Sequence, residues 1–233
     1  MALPGVKLVV FGKQGAGKGT QCVRLSQHYV VPHISTGDML RAAVKNRSEL
    51  GLKAKAIMER GELLGDDLIM EMVAERLAEP DASERGFILD GFPRTAHQAE
   101  ALAAFMAPGD LDLAVDIELP TAEVLRRLAS RRVCSECGAN YSVSSPPKVN
   151  WTCDICGGEV IQREDDTEEA IIRRLELYER QTAPLIEWYE DRGQLTKING
   201  VGAAEAVSRR VIRAVEERRG HWRGPGRPKG GLS

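Results

Sequence analysis

Residues 12–20 read Gly-Lys-Gln-Gly-Ala-Gly-Lys-Gly-Thr and follow an apolar, strand-like run over residues 7–11. The spacing is G-x-x-x-x-G-K-x-T, that of a phosphate-binding loop joining a strand to a helix. Strand, loop and helix must then follow in this order, with the loop at the strand's carboxyl end. The loop glycines permit a tight backbone whose N–H groups turn toward one anion. Lys18 can reach the β- and γ-phosphates, and the helix starting near it adds its positive end. Gly19 stands where Ser or Thr is usual, and the hydroxyl comes one place later, at Thr20.

Beyond the loop, short β-rich runs alternate with longer helical patterns. Strands are expected at 7–11, 30–34, 87–90, 114–119 and 195–198. Helices are expected at 19–27, 37–45, 49–60, 67–78, 95–105, 122–130, 168–189 and 203–219. This alternation predicts an α/β chain, a parallel sheet with helices on both faces. Ligands on such sheets bind beyond the carboxyl ends of the strands. Phe11, Ile34 and Asp90 lead out at those ends, which should gather the phosphate loop, residues 35–38 and residues 91–94 at one edge.

Two stretches read as covers over that edge. Residues 36–65 form a helical excursion. Residues 132–165 are irregular, rich in Gly, Pro, Ser and Asn, and hold four cysteines. From Arg218 onward come five basic and no acidic residues, a composition that predicts disorder. A net charge of −2 and an aromatic content of 5% argue against nucleic-acid binding. No stretch has the length of a membrane span, and the start runs straight into the first strand without room for a signal peptide. The expected location is the cytosol.

Cys134-x-x-Cys137 and Cys153-x-x-Cys156 match the spacing of a four-cysteine zinc site. Four sulfurs close a tetrahedron, so the metal should be structural, and it would stabilise a segment poor in apolar residues. Disulfides are the competing reading, disfavoured in the cytosol; iron fits the same ligands. Cys22 stands apart and reads as a small buried residue. His33 and His97 read as packing or surface residues.

Arginines flank the cysteine segment: 126, 127, 131 and 132 before it, 163, 173 and 174 after it. Arg127 and Arg131 share a helical face. Arg41 and Arg94 follow other strand ends, and guanidinium forks suit phosphate oxygens. Asp90, ending a buried strand, has the place of a carboxylate that holds Mg²⁺. Asp165 and Asp166 could pair with these arginines or cap the next helix.

The motifs G-K-G-T-Q at 17–21, S-T-G-D-M-L-R at 35–41, L-D-G-F-P-R-T at 89–95 and T-A-P-L-I at 182–186 together resemble the adenylate kinase family over residues 6–217. The cysteine-bearing insert resembles that of its long-lid, zinc-binding bacterial members. The resemblance implies a P-loop core with a five-stranded parallel sheet (residues 1–35, 66–126 and 166–217). It also implies a nucleoside-monophosphate-binding insertion (36–65), a zinc-binding lid (127–165) and a separate tail (218–233). It implies reversible transfer from Mg·ATP to AMP giving two ADP, by a monomer with no nucleic-acid or membrane partner.

By motif, ATP would be held by Gly15, Ala16, Gly17, Lys18, Gly19, Thr20 and Arg127. AMP would be held by Thr36, Arg41, Leu63, Gly91, Arg94, Gln98, Arg163 and Arg174. Lys18, Arg94, Arg131, Arg163, Arg174 and Asp90 would carry the transfer, with Mg²⁺ on ATP. Cys134, Cys137, Cys153 and Cys156 would hold a structural Zn²⁺. The chain departs from the family pattern at Lys13-Gln14, where a small residue and Pro are more usual, and at His97, where Pro is common.

Overall fold

The central strand explains the layering. In β1 (Lys7–Phe11), Leu8, Val9, Val10 and Phe11 are all buried. Leu8 and Val10 belong to one apolar cluster, Val9 and Phe11 to another. A strand alternates its side chains between faces, so a strand buried throughout needs cover on both. The computed structural model describes residues 5–60, 62–163 and 166–221.

After β1 the chain runs through α1 (Lys18–Tyr29), β2 (His33–Ser35), α2 (Thr36–Lys45), α3 (Glu49–Glu59), α4 (Asp66–Ala78), α5 (Pro80–Ser83) and β3 (Phe87–Asp90). It continues through α6 (Ala96–Met106), β4 (Leu113–Glu118) and α7 (Thr121–Ser130). The strands β5 (Arg131–Cys134), β6 (Asn140–Ser142) and β7 (Val160–Ile161) follow. Then come α8 (Glu168–Leu177), a π-helical stretch (Tyr178–Thr182), α9 (Ala183–Asp191), β8 (Leu195–Asn199) and α10 (Ala204–His221). Five strands form a parallel sheet in the order β2-β3-β1-β4-β8. On one face α1 and α10 contribute Cys22, Leu25, Tyr29, Val207, Val211 and Val215. On the other, α4, α6 and α9 contribute Ile69, Val73, Leu77, Leu102, Leu185 and Tyr189.

Four helices begin on side-chain caps: Ser35, Ser48, Thr95 and Thr167 accept the N–H of Asp38, Gly51, Gln98 and Ala170. Such caps satisfy N–H groups that a helix start leaves open. Helix α1 differs. Its cap is Gly17, at φ 102°, and among the described residues no side chain closes it. Its first turn follows directly on the phosphate loop, with those N–H groups left uncapped by side chains.

The structure corrects several sequence expectations. The second strand is His33–Ser35 and not 30–34. Val30 sits at φ 55° as the C-cap of α1, and Pro32 has no N–H to offer a sheet. The helix expected over 168–189 is divided by the π-helical stretch. Pro184 lies in the first turn of α9; its missing N–H and its ring both oppose a regular α-helical turn before it. The cysteine segment is more ordered than expected, with β6-β5-β7 antiparallel around Cys134, Cys153 and Val160. Helix α10 runs through His221, past the tail boundary expected at 218. The rest of that tail, and Asp165, lie outside the described residues.

Candidate active site

Parallel strands deliver their carboxyl ends to one edge, where an open cleft of about 2090 Å³ is lined by the phosphate loop, both insertions and the first turns of α1 and α2. Lys18 Nζ donates to the carbonyls of Gly12 at 2.6 Å and Lys13 at 3.0 Å, which folds the ammonium into the loop. Burial lowers its proton affinity, opposed by the nearby Asp90. Asp90, at the end of β3, has a side chain 13% exposed. Burial raises its pKa, but His33, Lys18 and Arg94 outweigh this and hold it below the ordinary carboxylate value. Gly19 gives Asp90 its room: a Cβ there would lie 3.5 Å from Asp90 Oδ2, so a longer side chain would crowd the carboxylate.

Around the end of β3, Thr36 Oγ1 donates to the Gly91 carbonyl at 2.9 Å, and Arg94 Nε to the same oxygen at 2.7 Å. Gly91 has φ 78°, a left-handed conformation that costs other residues energy. A Cβ on it would stand 2.8 Å from Arg94 Nη2 and 3.1 Å from Thr36 Oγ1. Gln98 accepts the Arg94 backbone N–H at 2.7 Å and donates to Asp66 Oδ1 at 2.7 Å, while Thr95 Oγ1 donates to Asp66 Oδ2 at 2.7 Å. Arg41 pairs with Asp38, and Leu63 lines the same cleft.

Arginines close the other side. Arg127 Nε donates to Glu123 at 2.9 Å, and its fork reaches the carbonyls of Ala16 at 3.4 Å and Gly200 at 3.3 Å. Asp166, fully buried at its side chain, collects three neighbours. Arg131, which begins β5 and so does not share a helical face with Arg127 as expected, pairs with it through both Nε, at 2.7 Å, and Nη2. Arg174 Nη1 stands 4.0 Å away, and Gln14 Nε2 donates at 3.2 Å. Arg174 also donates to the Met58 carbonyl at 3.1 Å, and Arg163 lines the cleft. Across the opening, Lys45 of α2 meets Glu136 of the cysteine segment at 2.8 Å. The structure thus brings the sequence-expected residues of loop, strand ends and lid to one cleft.

Sequence reading missed the contacts of Gln14, Lys13, Asp66 and His33, and the Lys45–Glu136 pair. Lys13 Nζ stands 2.7 Å from Glu179 and 3.1 Å from Thr121 Oγ1. Only the unusual Lys13-Gln14 pair carried a signal, as a break in a familiar motif. His33 is no mere packing residue, since its Nε2 faces Asp90 Oδ2 at 3.4 Å.

The four clustered cysteines are free thiols. Sγ of Cys134 lies 3.4 Å from that of Cys156, and Sγ of Cys137 lies 3.6 Å from that of Cys153. Four thiolates about 2.3 Å from one tetrahedral ion stand about 3.8 Å apart, so the set fits a metal and sets aside the disulfide reading. Backbone N–H groups of Glu136 and Ile155 point at Sγ of Cys134 and Cys153, each at 3.4 Å, and Tyr141 Oη adds a contact of 3.4 Å to Cys153. Such outer contacts orient metal ligands.

A phosphate loop with its lysine, an acid across from it and arginines converging from separate elements suit a P-loop phosphotransferase, a class that works by positioning and charge. The comparisons narrow this. The family profile described as "Adenylate kinase" matches residues 10–194. The chain is 47% identical to an adenylate kinase of Acetivibrio thermocellus over 213 residues, covering 90% of this chain and 98% of that one. It is 48% identical to one of Carboxydothermus hydrogenoformans over 215 residues, covering 91% and 100%. The chain belongs to the adenylate kinase family, and it is a nucleoside monophosphate kinase.

Proposed function

We propose that the cleft binds Mg·ATP on the phosphate-loop side and AMP on the α2–α3 side and transfers the γ-phosphoryl group between them. The observation that carries this reading is the open N-terminus of α1, with Lys18 at its first turn, in one cleft with Arg94, Arg131, Arg163 and Arg174. The two nucleotides bring about six negative charges together, and their repulsion is the main obstacle. Lys18 and the N–H groups of residues 15–20 hold the donor phosphates. Arg127 covers the donor base, an assignment supported by its place over Ala16. Thr36, Arg41, Leu63, Gly91, Arg94 and Gln98 bind AMP. Gly91 lets the ligand approach the backbone, and Asp66 holds Gln98 in place.

Arg131, Arg163 and Arg174 grip the transferring group as charge spreads over its oxygens. Asp90 would hold Mg²⁺, directly or through water; the ion, when bound, neutralises phosphate charge. Residues 36–65 act as the AMP-side insertion and 127–165 as the lid, which excludes water from the transferring group. Cys134, Cys137, Cys153 and Cys156 would hold Zn²⁺, whose contribution is to fold the lid and not to react. The reading includes a cytosolic monomer with no nucleic-acid or membrane partner; sedimentation of the purified enzyme checks its oligomeric state.

The test is diphosphate formation from Mg·ATP with AMP, GMP, CMP or UMP, beside a Lys18→Ala variant. ADP formation with AMP alone, reduced by about 10²–10³ in the variant, is the expected result. Transfer to another monophosphate would move the acceptor assignment. Hydrolysis of ATP with no transfer would overturn the reading.

A further inference from the structure

Behind the cleft wall three different donor side chains meet. Cys22 comes from α1, His33 from β2 and Asp90 from the end of β3. The thiol, the imidazole and the carboxylate each offer a ligand atom within 4.8 Å of the others. Cys22 is 0% exposed, while the side chains of His33 and Asp90 are 16% and 13% exposed and line the cleft. His33 Nε2 is buried and has no hydrogen-bond partner among the described residues, although Asp90 Oδ2 lies 3.4 Å away.

That separation is long for a hydrogen bond. It suits two ligands of one ion: atoms each about 2.1 Å from a tetrahedral metal stand about 3.4 Å apart. An orphaned buried nitrogen, facing a carboxylate at that distance beside a thiol, is the arrangement a bound cation would satisfy. We infer that Cys22, His33 and Asp90 form a second metal site, separate from the four-cysteine lid site, for a thiophilic divalent cation such as Zn²⁺ or Co²⁺.

The donor set decides which ion. Mg²⁺ prefers an octahedral shell of oxygens, whereas sulfur and imidazole select transition metals. Lys18 is drawn to the same carboxylate, and its charge opposes any cation there. Without nucleotide phosphates beside it, a hard ion attracted by Asp90 alone has little to offset that repulsion; an ion that forms a metal–thiolate bond does. Binding replaces the Cys22 S–H bond with an S–metal bond and releases one proton to solvent. With three protein ligands, a tetrahedral ion keeps a fourth position open.

An ion held there takes Asp90 away from the nucleotide's Mg²⁺, so the site is inhibitory. This last step rests on the reading of Asp90 given above. Binding itself does not.

The experiment adds Co²⁺ to the full chain with its lid metal in place, while released zinc is monitored. The expected result is one further Co²⁺ per chain, with a sulfur-to-cobalt charge-transfer band. Both should be lost in Cys22→Ala and weakened at least tenfold in His33→Gln, with folding of each checked by melting. A Co²⁺ stoichiometry and band unchanged by Cys22→Ala would overturn the site. Mg·ATP should weaken the band, and Co²⁺ should slow the enzyme, relative to its own rate without added Co²⁺, at least tenfold more effectively than it slows Cys22→Ala. A Cys22-dependent band that Mg·ATP leaves untouched would keep the metal site and overturn the role given to Asp90.

Discussion

Gln14 of the phosphate loop donates to the carboxylate of Asp166, which also pairs with Arg131. One buried acid thus ties the phosphate loop to an arginine at the start of β5. The oxygen of the Gln14 amide is buried without a hydrogen-bond partner among the described residues, so this side chain is held from its nitrogen end only. Gln14→Ala should free Asp166 and loosen Arg131, lowering kcat about ten- to hundredfold, as expected for one hydrogen bond to a charged group. The KM for AMP should stay nearly constant. Gln14→Glu, of the same shape, sets a second carboxylate against Asp166 and should cost more than Gln14→Ala. Steady-state kinetics of both variants decide; an equal or milder effect of Gln14→Glu would refute the link.

Gly91→Ala brings two costs. The left-handed backbone disfavours a Cβ by about 1–2 kcal/mol, and the Cβ would meet Arg94 at 2.8 Å and Thr36 at 3.1 Å. Both are residues that the proposed function gives to AMP. We expect the KM for AMP to rise about tenfold or more with the KM for ATP little changed, measured by varying each substrate in turn.

Removing the proposed lid metal with a chelator, or replacing Cys134, Cys137, Cys153 and Cys156 by Ser, should lower the melting temperature by several degrees. Its effect on kcat well below the transition should be smaller. Elemental analysis of the untreated enzyme separates zinc from iron. A metal-free lid that melts at the original temperature would mean that the metal does not stabilise it.

Asp116 is 4% exposed. Burial, with Glu118 nearby, raises its pKa to about 6, partly opposed by Tyr178. Its carboxyl therefore ionises earlier in the unfolded chain than in the folded one. Between pH 4 and 6 the folded state binds the extra proton, so stability falls as pH rises through that window and stays lower above it. Asp116→Asn keeps an acceptor for Tyr178 and cannot ionise. Its stability advantage should be absent below pH 4, grow to pH 6 and level off at no more than about 3 kcal/mol. Denaturant titrations at pH 4, 6 and 8 measure this.

The parallel sheet was legible because apolar runs and turn residues are local signals, and the phosphate loop fixed which strand ends matter. Lys18, Asp90, Arg94 and the cysteine pairs could be found because each sits in a motif of short range. The contacts of Gln14, His33 and Asp66 could not. Gln14 and Asp166 are 152 positions apart, and no local pattern reports what folding brings together over that span. The lid sheet was missed for another reason: its strands are two to four residues long, too short for periodicity to show. The start of β2 depended on the left-handed turn at Val30, where a β-branched residue gives no warning.

The π-helical stretch at Tyr178–Thr182 has a bearing on how this chain can vary. It joins α8, which carries Arg174 to the cleft, to α9, which plants Leu185 and Tyr189 in the core. Each residue of an α-helix advances the screw by roughly 100°, so the length of this stretch sets the angular phase between an arginine of the cleft and the anchors of the sheet. A single-codon deletion there would not merely shorten a helix. It would rotate one end against the other, and the chain would have to misplace either its arginine or its core.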